Sequence, residues 1–588
     1  LEEPEAEPVE AVLANGLIRT LWTNRGASLR SLQLLDERYR APYKEGDARP
    51  VLTLLREFQE GLAADTIERV TIFSRGQDGI SRELDVAPAP SDRFYRVIDR
   101  TEGRVAFQTV VADRLDHRLQ ITKTVTVEPE KYNYDVELLF ENVCGEPFEF
   151  TCALRGAAGI ERESLEARYL GTRVGVFEDV GDYKIAKSST KRLRKGPQVN
   201  ESADIAWAAV VNHYFAAVME PQDRDWVDTV VSRSVTDSDI LNARGRWGIG
   251  TISKKANRFT LSQQNATVVV NTTPQRLEPG ETLVQRYRFI AAPKEDKVLA
   301  AYSAGLPGLV EFGLLPSVSR IALAILNGAH AVLPNYGVAI LVLTLVVRAV
   351  LHPLTRKSQM SMIRMQKLQP QLTELQKQHA GDKQKLAQEQ MALWGKHGVS
   401  PMSGCWPIFI QMPVLITLFG ALRAAIELRH AGFLLWMDDL SHPDVLFHFP
   451  IHLPVLGNEF NLLPILMAVV MFINQRFTAQ ATTEQARQQQ KMMKFMPALF
   501  GVLFYHMPSG LCLYFTASMG IGALERWLIE RKAATVQLKP VAEAARKEKR
   551  RPPGPQKPEK VGWLGKLQRM LQEQERSSRR AKSGKAKK

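Results

Sequence analysis

Arg348 lies inside VAILVLTLVVRAVLHPL, the apolar stretch from Val338 to Leu354. A guanidinium at the centre of a membrane helix costs about 2.5–3.5 kcal/mol on insertion scales. The surrounding Val, Leu and Ile residues offset that cost, so the stretch still reads as a span. One account of the charge is snorkelling: Arg348 is six residues, about 9 Å of helix, from Leu354. The other account rests on its neighbours. Thr344 is four residues earlier and shares its helical face. Other apolar stretches carry Gln411, Asn474, Gln475, Thr516 and Ser518, and a turn carries Ser509. Polar groups at membrane depth face a bundle interior or a wet cavity. The only acid in these stretches is Glu525, near the far end of the last one. A cation among neutral polar groups predicts a hydrated cavity that receives a polar or anionic guest. The chemistry is therefore attraction and solvation. No GxxxxGK[ST], GxSxG or HExxH motif and no proton-relay carboxylate pair is present. No catalytic residue, cofactor or metal is expected.

The elements that position these residues are five predicted spans: Tyr336–Leu354, Gly404–Ala425, Phe460–Phe477, Phe495–Met507 and Leu511–Ile529. Several are short for a bilayer of about 30 Å, which suggests a thinned membrane or a packed bundle. Basic loops set their orientation. Thr355–Ser400 has eight Lys or Arg against three acids, whereas Ile426–Glu459 has one Arg against five. The positive-inside rule puts 355–400, 478–494 and the tail 530–588 in the cytoplasm, and 426–459 outside. With the tail inside, the domain before the first span lies outside. That parity closes only with a signal or anchor segment upstream of Leu1.

Residues 1–304 read as one β domain. TKTVTVEP, YNYDVELLF, FEFTCALRG and ATVVVNTTP are rich in Val, Thr, Tyr and Phe and are separated by turn signals. A large antiparallel sandwich closed by ETLVQRYRFIAAPK is predicted. KSSTKRLRKGPQ reads as a solvated basic loop. Residues 305–335 form a linker and an amphipathic helix whose clean apolar run, Ile321–Leu333, is too short to span, so it lies at the interface. Residues 355–400 read as a helical hairpin broken at HAGD, with Met360, Met362, Met365, Leu368, Leu372 and Leu375 at helical spacing. Its seam is either internal packing or a Met-rich surface that receives an apolar segment. From Arg531 to the end, 19 Lys or Arg face five acids, so the tail carries the whole formal charge of +14. Such a tail binds anionic lipid or RNA. Four cysteines exclude a disulfide scaffold, although Cys144 and Cys152 could pair outside the cytoplasm.

TLVVRAVLHPLT, GCWPIFIQMPVLITLFGAL, LLWMDDLS and MPSGLCLYF, in this order and spacing, resemble the YidC/Oxa family of membrane protein insertases. LQPQLTELQKQ and DKQKLAQEQMALW resemble its cytoplasmic hairpin. LIRTLWTNRGASLRSLQLL and AWAAVVNHYFAAVMEP resemble the periplasmic domain of its Gram-negative branch. The resemblance implies a multidomain α+β membrane protein of the bacterial inner membrane. In it a periplasmic β-super-sandwich precedes a five-helix transmembrane core with a cytoplasmic hairpin. It implies insertion and folding of nascent membrane proteins without nucleotide hydrolysis, alone or with the Sec translocon. It also implies a ribosome held by the basic tail and cytoplasmic loops. Arg348, Thr344, Gln411 and Ser518 would line a hydrophilic groove. Met412, Pro413, Tyr514 and Phe515 would lie along the client's path, and Met360, Met365, Leu368 and Leu372 would form the receiving hairpin. Phe515 stands where many relatives carry a second Tyr, and the first membrane helix of the family is not in the sequence. The alternative from a different class is a small-solute channel or transporter with a periplasmic binding domain.

Overall fold

A computed structural model describes the chain apart from residues 1–7, 37, 39–51, 57–64, 76–80, 87, 159, 161–169, 180–181, 202–203, 237–263, 380, 398–405, 454–455, 477–483 and 534–588; at some element ends, including 406–411 and 484–493, it describes the backbone alone. The chain divides into two compact units. One is Leu1–Leu351, Ile408–Thr478 and Gln489–Ala523; the other is His352–Pro407, Ala479–Gln488 and Leu524–Lys588.

In the first unit, the β-rich N-terminal part is antiparallel throughout its recorded pairings. A nine-stranded sheet runs from Asp182–Ser189 through Gly171–Asp179, Ile205–Val211, Phe215–Pro221, Thr282–Pro293, Asn133–Asn142, Arg118–Val127 and Arg104–Ala112 to Arg96–Arg100. A seven-stranded sheet is centred on Phe148–Arg155, and a four-stranded sheet holds the N-terminal strands. Asn133–Asn142 alternates buried and part-exposed residues, as a strand with one covered face must. Ile205–Val211 is buried at every position, the pattern of a strand covered on both faces. Trp22, Phe107, Tyr134, Phe140, Phe150, Trp207 and Phe289 fill the core between these sheets. The closing strand ETLVQRYRFIAAP lies centrally, between Phe215–Pro221 and Asn133–Asn142. Cys144 and Cys152 are free thiols, which corrects the pairing left open by the sequence. Cys144 instead donates to the Asn142 side chain at 2.9 Å.

The C-terminal part is helical. We label its longer helices α1 (Pro316–Val332), α2 (Tyr336–Lys367), α3 (Gln369–Gln378), α4 (Lys383–Lys396), α5 (Trp406–Ala424), α6 (Leu463–Arg476), α7 (Glu484–Phe504) and α8 (Ser509–Ala533). A second core gathers Leu326 of α1, Ile340 and Leu343 of α2, Leu418 and Leu422 of α5, Met467 of α6, Phe504 of α7 and Leu511–Phe515 of α8. Among the described residues, α2 alone is long and apolar enough to cross a membrane; shorter apolar helices are Met412–Ala424, Leu463–Gln475 and Lys494–Phe504.

α7 begins at Glu484, inside the loop predicted over 478–494 and ahead of the span start predicted at Phe495, and two other boundaries also differ from the sequence reading. First, α2 does not end at Leu354 but continues through Pro353 to Lys367. Proline removes one backbone donor, a loss that a helix packed among others accommodates. Second, the first hairpin arm divides at Leu368, just ahead of Pro370 at the start of α3. The break at HAGD is present, and the Asp382 side chain caps α4 by accepting from the amides of Gln384 and Lys385. The basic tail lies outside the described residues.

Candidate functional site

Arg348 projects from α2 towards α8. It is half-buried, and its Nε donates to Ser518 Oγ at 3.0 Å. Gly522, four residues beyond Ser518 on the same face, lets the guanidinium lie close to the α8 backbone: a Cβ there would come within 3.0 Å of both terminal nitrogens. The Tyr514 hydroxyl interacts with Ser518 and with the Arg348 charge. Three successive turns of α8 therefore present Tyr514, Ser518 and Gly522 to one arginine. Thr344 is fully buried, and its hydroxyl bonds back to Ile340 O at 2.7 Å. Its hydroxyl proton is therefore taken up within α2. Asn474 of α6 donates to Met519 O at 3.3 Å and adds a second polar link to α8.

The other nominated residues separate. Gln411 falls in α5 where the backbone alone is described. Met412 is exposed and Pro413 half-buried; the Pro413 carbonyl accepts from Thr417 Oγ1 at 2.7 Å. Tyr514 and Phe515 are buried in the helical core, with the Phe515 ring edge-on to Phe504 at 4.8 Å. Of this set, among the residues whose side chains are described, Met412 alone is exposed. In the second unit, Leu368 and Leu372 are buried while Met360 and Met365 are partly so, which makes the leucines the hairpin's internal seam. His352 and Glu525, also in that unit, are hydrogen-bonded to each other. Sequence reasoning nominated neither His352 nor Gly522. The available signal was spacing: His352 is four residues after Arg348, and Ser518, Gly522 and Glu525 share one helical face.

The end of the bundle where α2 and α8 begin is closed by LLWMDDLS. The first amides of α8, which have no partner within the helix, donate to this segment and to the residue after it: Gly510 N to Leu440 O at 2.9 Å and Ser509 N to His442 O at 2.7 Å. Ser509 Oγ adds a bond to Asp439 O at 2.9 Å. Burial pushes the Asp439 carboxyl up, but His430 at 3.1 Å, His442 at 3.0 Å and Ser441 at 2.6 Å outweigh it and hold it well below the usual carboxylate range. Asp444 accepts from Leu463 N at 2.6 Å and from Trp436 Nε1 at 3.2 Å, which fixes the start of α6. The start of α8 is thus tied to the segment between α5 and α6.

Comparison with known proteins covers both parts of the chain. Residues 328–536 match the family described as 60Kd inner membrane protein, and residues 23–323 match the YidC periplasmic domain. The chain is 28% identical over 538 residues to the membrane protein insertase YidC of Ralstonia nicotianae, covering 91% of this chain and 85% of that one. It is 32% identical over 444 residues to the insertase YidC of Syntrophobacter fumaroxidans, covering 74% and 72%. Among solved structures, it is similar to an active YidC insertase with its first transmembrane domain resolved, at 16% identity and a TM-score of 0.35, covering 89% and 92%. The chain belongs to the YidC family of membrane protein insertases.

Proposed function

We propose that this insertase moves the polar end of a client across the membrane through a half-depth hydrated groove centred on Arg348. The observation that carries the reading is the Arg348–Ser518–Gly522 contact, a half-buried guanidinium laid against α8 beside a mostly apolar helical core. In this reading α2, α5, α6, α7 and α8 are the five spans, with α3 and α4 on the cytoplasmic side and 426–459 outside. The loop charges support that orientation. The costly step of insertion is taking a polar segment through hydrocarbon, and a wet groove shortens the distance. Arg348 attracts an acidic or carbonyl-rich tail, more strongly where the local dielectric is low. The client's apolar helix leaves along α5, where Met412 and Ile416 are exposed. Its transfer to lipid, roughly 25 cal/mol per Å² of apolar area, draws the tail across. The step needs no nucleotide chemistry. Tyr514 and Phe515 then act as the packed wall behind the path. Nascent membrane proteins are the clients; the ribosome, the Sec translocon and anionic lipids are partners in this proposal, with the basic tail binding the first and last.

Site-specific photocrosslinking tests the path. A photoreactive residue at Met412 or at Ser518 should capture a stalled nascent membrane protein, and one at buried Leu418 should not. Equal capture from all three, or capture from none, overturns the groove.

A further inference from the structure

Between α5 and α6 the chain makes a two-stranded ribbon, Val445–Leu453 paired with Gly457–Asn461, which joins no other sheet among the described residues. From 445 to 461 the sequence VLFHFPIHLPVLGNEFN has Glu459 as its one charged residue. Phe447 stacks on Phe460 at 4.7 Å, and Phe449 meets Phe447 edge-on at 5.2 Å, so one face carries a ready-made aromatic cluster. Much of it is uncovered: Phe447 is 47% exposed and Ile451 is 64% exposed. The preceding loop adds Leu435, which is 87% exposed and held at a φ of 61° that a leucine rarely adopts.

The ribbon is also fixed in position. Tyr505, in the α7–α8 turn, donates its hydroxyl to Glu459 O at 2.8 Å and accepts from Asn461 N at 3.2 Å, and its carbonyl accepts from the Asn461 side chain at 2.7 Å. At the turn end of the ribbon, a Cβ on Gly457 would lie 3.8 Å from His506. The ribbon therefore lies along the α7–α8 turn and does not stand away from it. Leu463, the first residue of α6, is two residues after Asn461, and from there an exposed apolar stripe runs down the helix: Ile465, Leu466, Val469, Phe472 and Ile473. The uncovered ribbon is continuous with a surface that faces lipid if α6 spans the membrane.

We infer that the paired strands Val445–Leu453 and Gly457–Asn461, with the Leu434–Leu435 loop, are a lipid-binding element seated in the headgroup and acyl boundary of the outer leaflet. The inference rests on the membrane-spanning reading above. The chemistry fits that boundary: aromatic rings concentrate there, and headgroups and interfacial water reach Glu459 and the open edges of the ribbon.

The test uses spin labels on single cysteines in the full chain, with Cys144, Cys152, Cys405 and Cys512 changed to alanine, in phosphatidylethanolamine–phosphatidylglycerol vesicles. The variants are Ile451→Cys in the ribbon, Val469→Cys on α6 and Val199→Cys on the β domain. Collision with oxygen relative to a water-soluble nickel chelate should be severalfold higher at 451 than at 199, and highest at 469. A label at 451 as open to the chelate as that at 199, with 469 in lipid, overturns the inference alone. A label at 451 shielded from both reagents shows a protein covering and overturns it equally. A label at 469 in water overturns the membrane-spanning reading beneath it. If the cysteine-free chain does not fold, a phospholipid with a photoreactive group near its glycerol replaces the labels on the unaltered protein. Adducts within 445–461 support the inference, and adducts on α6 without any in the ribbon overturn it.

Discussion

Arg348 and Gly522 act as a pair, because the room for the guanidinium comes from the missing side chain. Arg348→Ala should lower insertion of clients with short acidic tails about tenfold, a change of roughly 1.4 kcal/mol, and clients with neutral tails less. Insertion assays on a matched series of tail charges check this; an equal loss across the series removes the electrostatic part of the mechanism. Gly522→Leu should displace the guanidinium from Ser518, because the atoms it meets belong to the end of a flexible side chain. The expected result is a similar client-dependent loss with little change in thermal stability. The sequence exposed Arg348 and Ser518 as misfits in apolar stretches. Spacing put Gly522 on the face of Ser518, but its role, a close approach between two helices, is visible only in the structure.

At the scale of elements, the joints between the β domain and the helices carry the tests. The turn before Phe215–Pro221 places His213 Nε2 2.9 Å from Arg423 O in α5. Burial, with the nearby Lys294 charge, pushes the His213 pKa down to about 3. Its folded value lies below the unfolded one, so the unfolded chain binds the extra proton between pH 6.5 and about 3. Stability should therefore fall as pH drops through that window, and His213→Gln should flatten this part of the unfolding profile. The linker crosses α5 at Gly420, where a Cβ would lie 2.4 Å from Phe312 O, a backbone atom with no freedom to yield. The buried Ser319 hydroxyl lies 2.9 Å from Phe312 O and 3.2 Å from Thr417 O and completes this clasp. Gly420→Val should loosen it, with new protease cleavage between 305 and 316 as the readout. In the hairpin, Leu372→Ala removes a buried seam residue and should cost at least about 2 kcal/mol of local stability, seen as faster hydrogen exchange in α3 and α4.

Across the whole molecule, ionic contacts tie the linker to the β domain. Glu311 lies 3.1 Å from Arg173 and 3.0 Å from Lys187. Burial pushes its carboxyl up, but the two cations outweigh that and hold it at about 2, against an ordinary 4.5. The contribution is complete above pH 4.5 and is lost as pH falls through about 2. Glu311→Gln should remove this acid-side loss and lower stability at neutral pH, as thermal melts across pH would show. The basic tail belongs to this scale too. Removing 532–588 should abolish a salt-sensitive association with ribosomes in pelleting assays. Loss of binding to anionic vesicles, with ribosome binding unchanged, would assign the tail to lipid.

Composition and spacing were enough to establish a β-rich domain followed by apolar helices, because strand alternation and apolar runs are properties of neighbours along the chain. The same local signal picked out Arg348 and the break at HAGD. It ended α2 at Leu354, since a proline followed by the first charges reads as a boundary when the supporting helices are unseen. The resemblance, not the local signal, nominated Tyr514 and Phe515 for the client's path; that both are buried depends on which helix face is covered, which side-chain type does not say. The freedom of Cys144 and Cys152, the seat of Arg348 on Gly522 and the anchoring of the ribbon by Tyr505 were decided by tertiary structure alone. Each depends on distances between segments far apart in the chain, which no local pattern encodes.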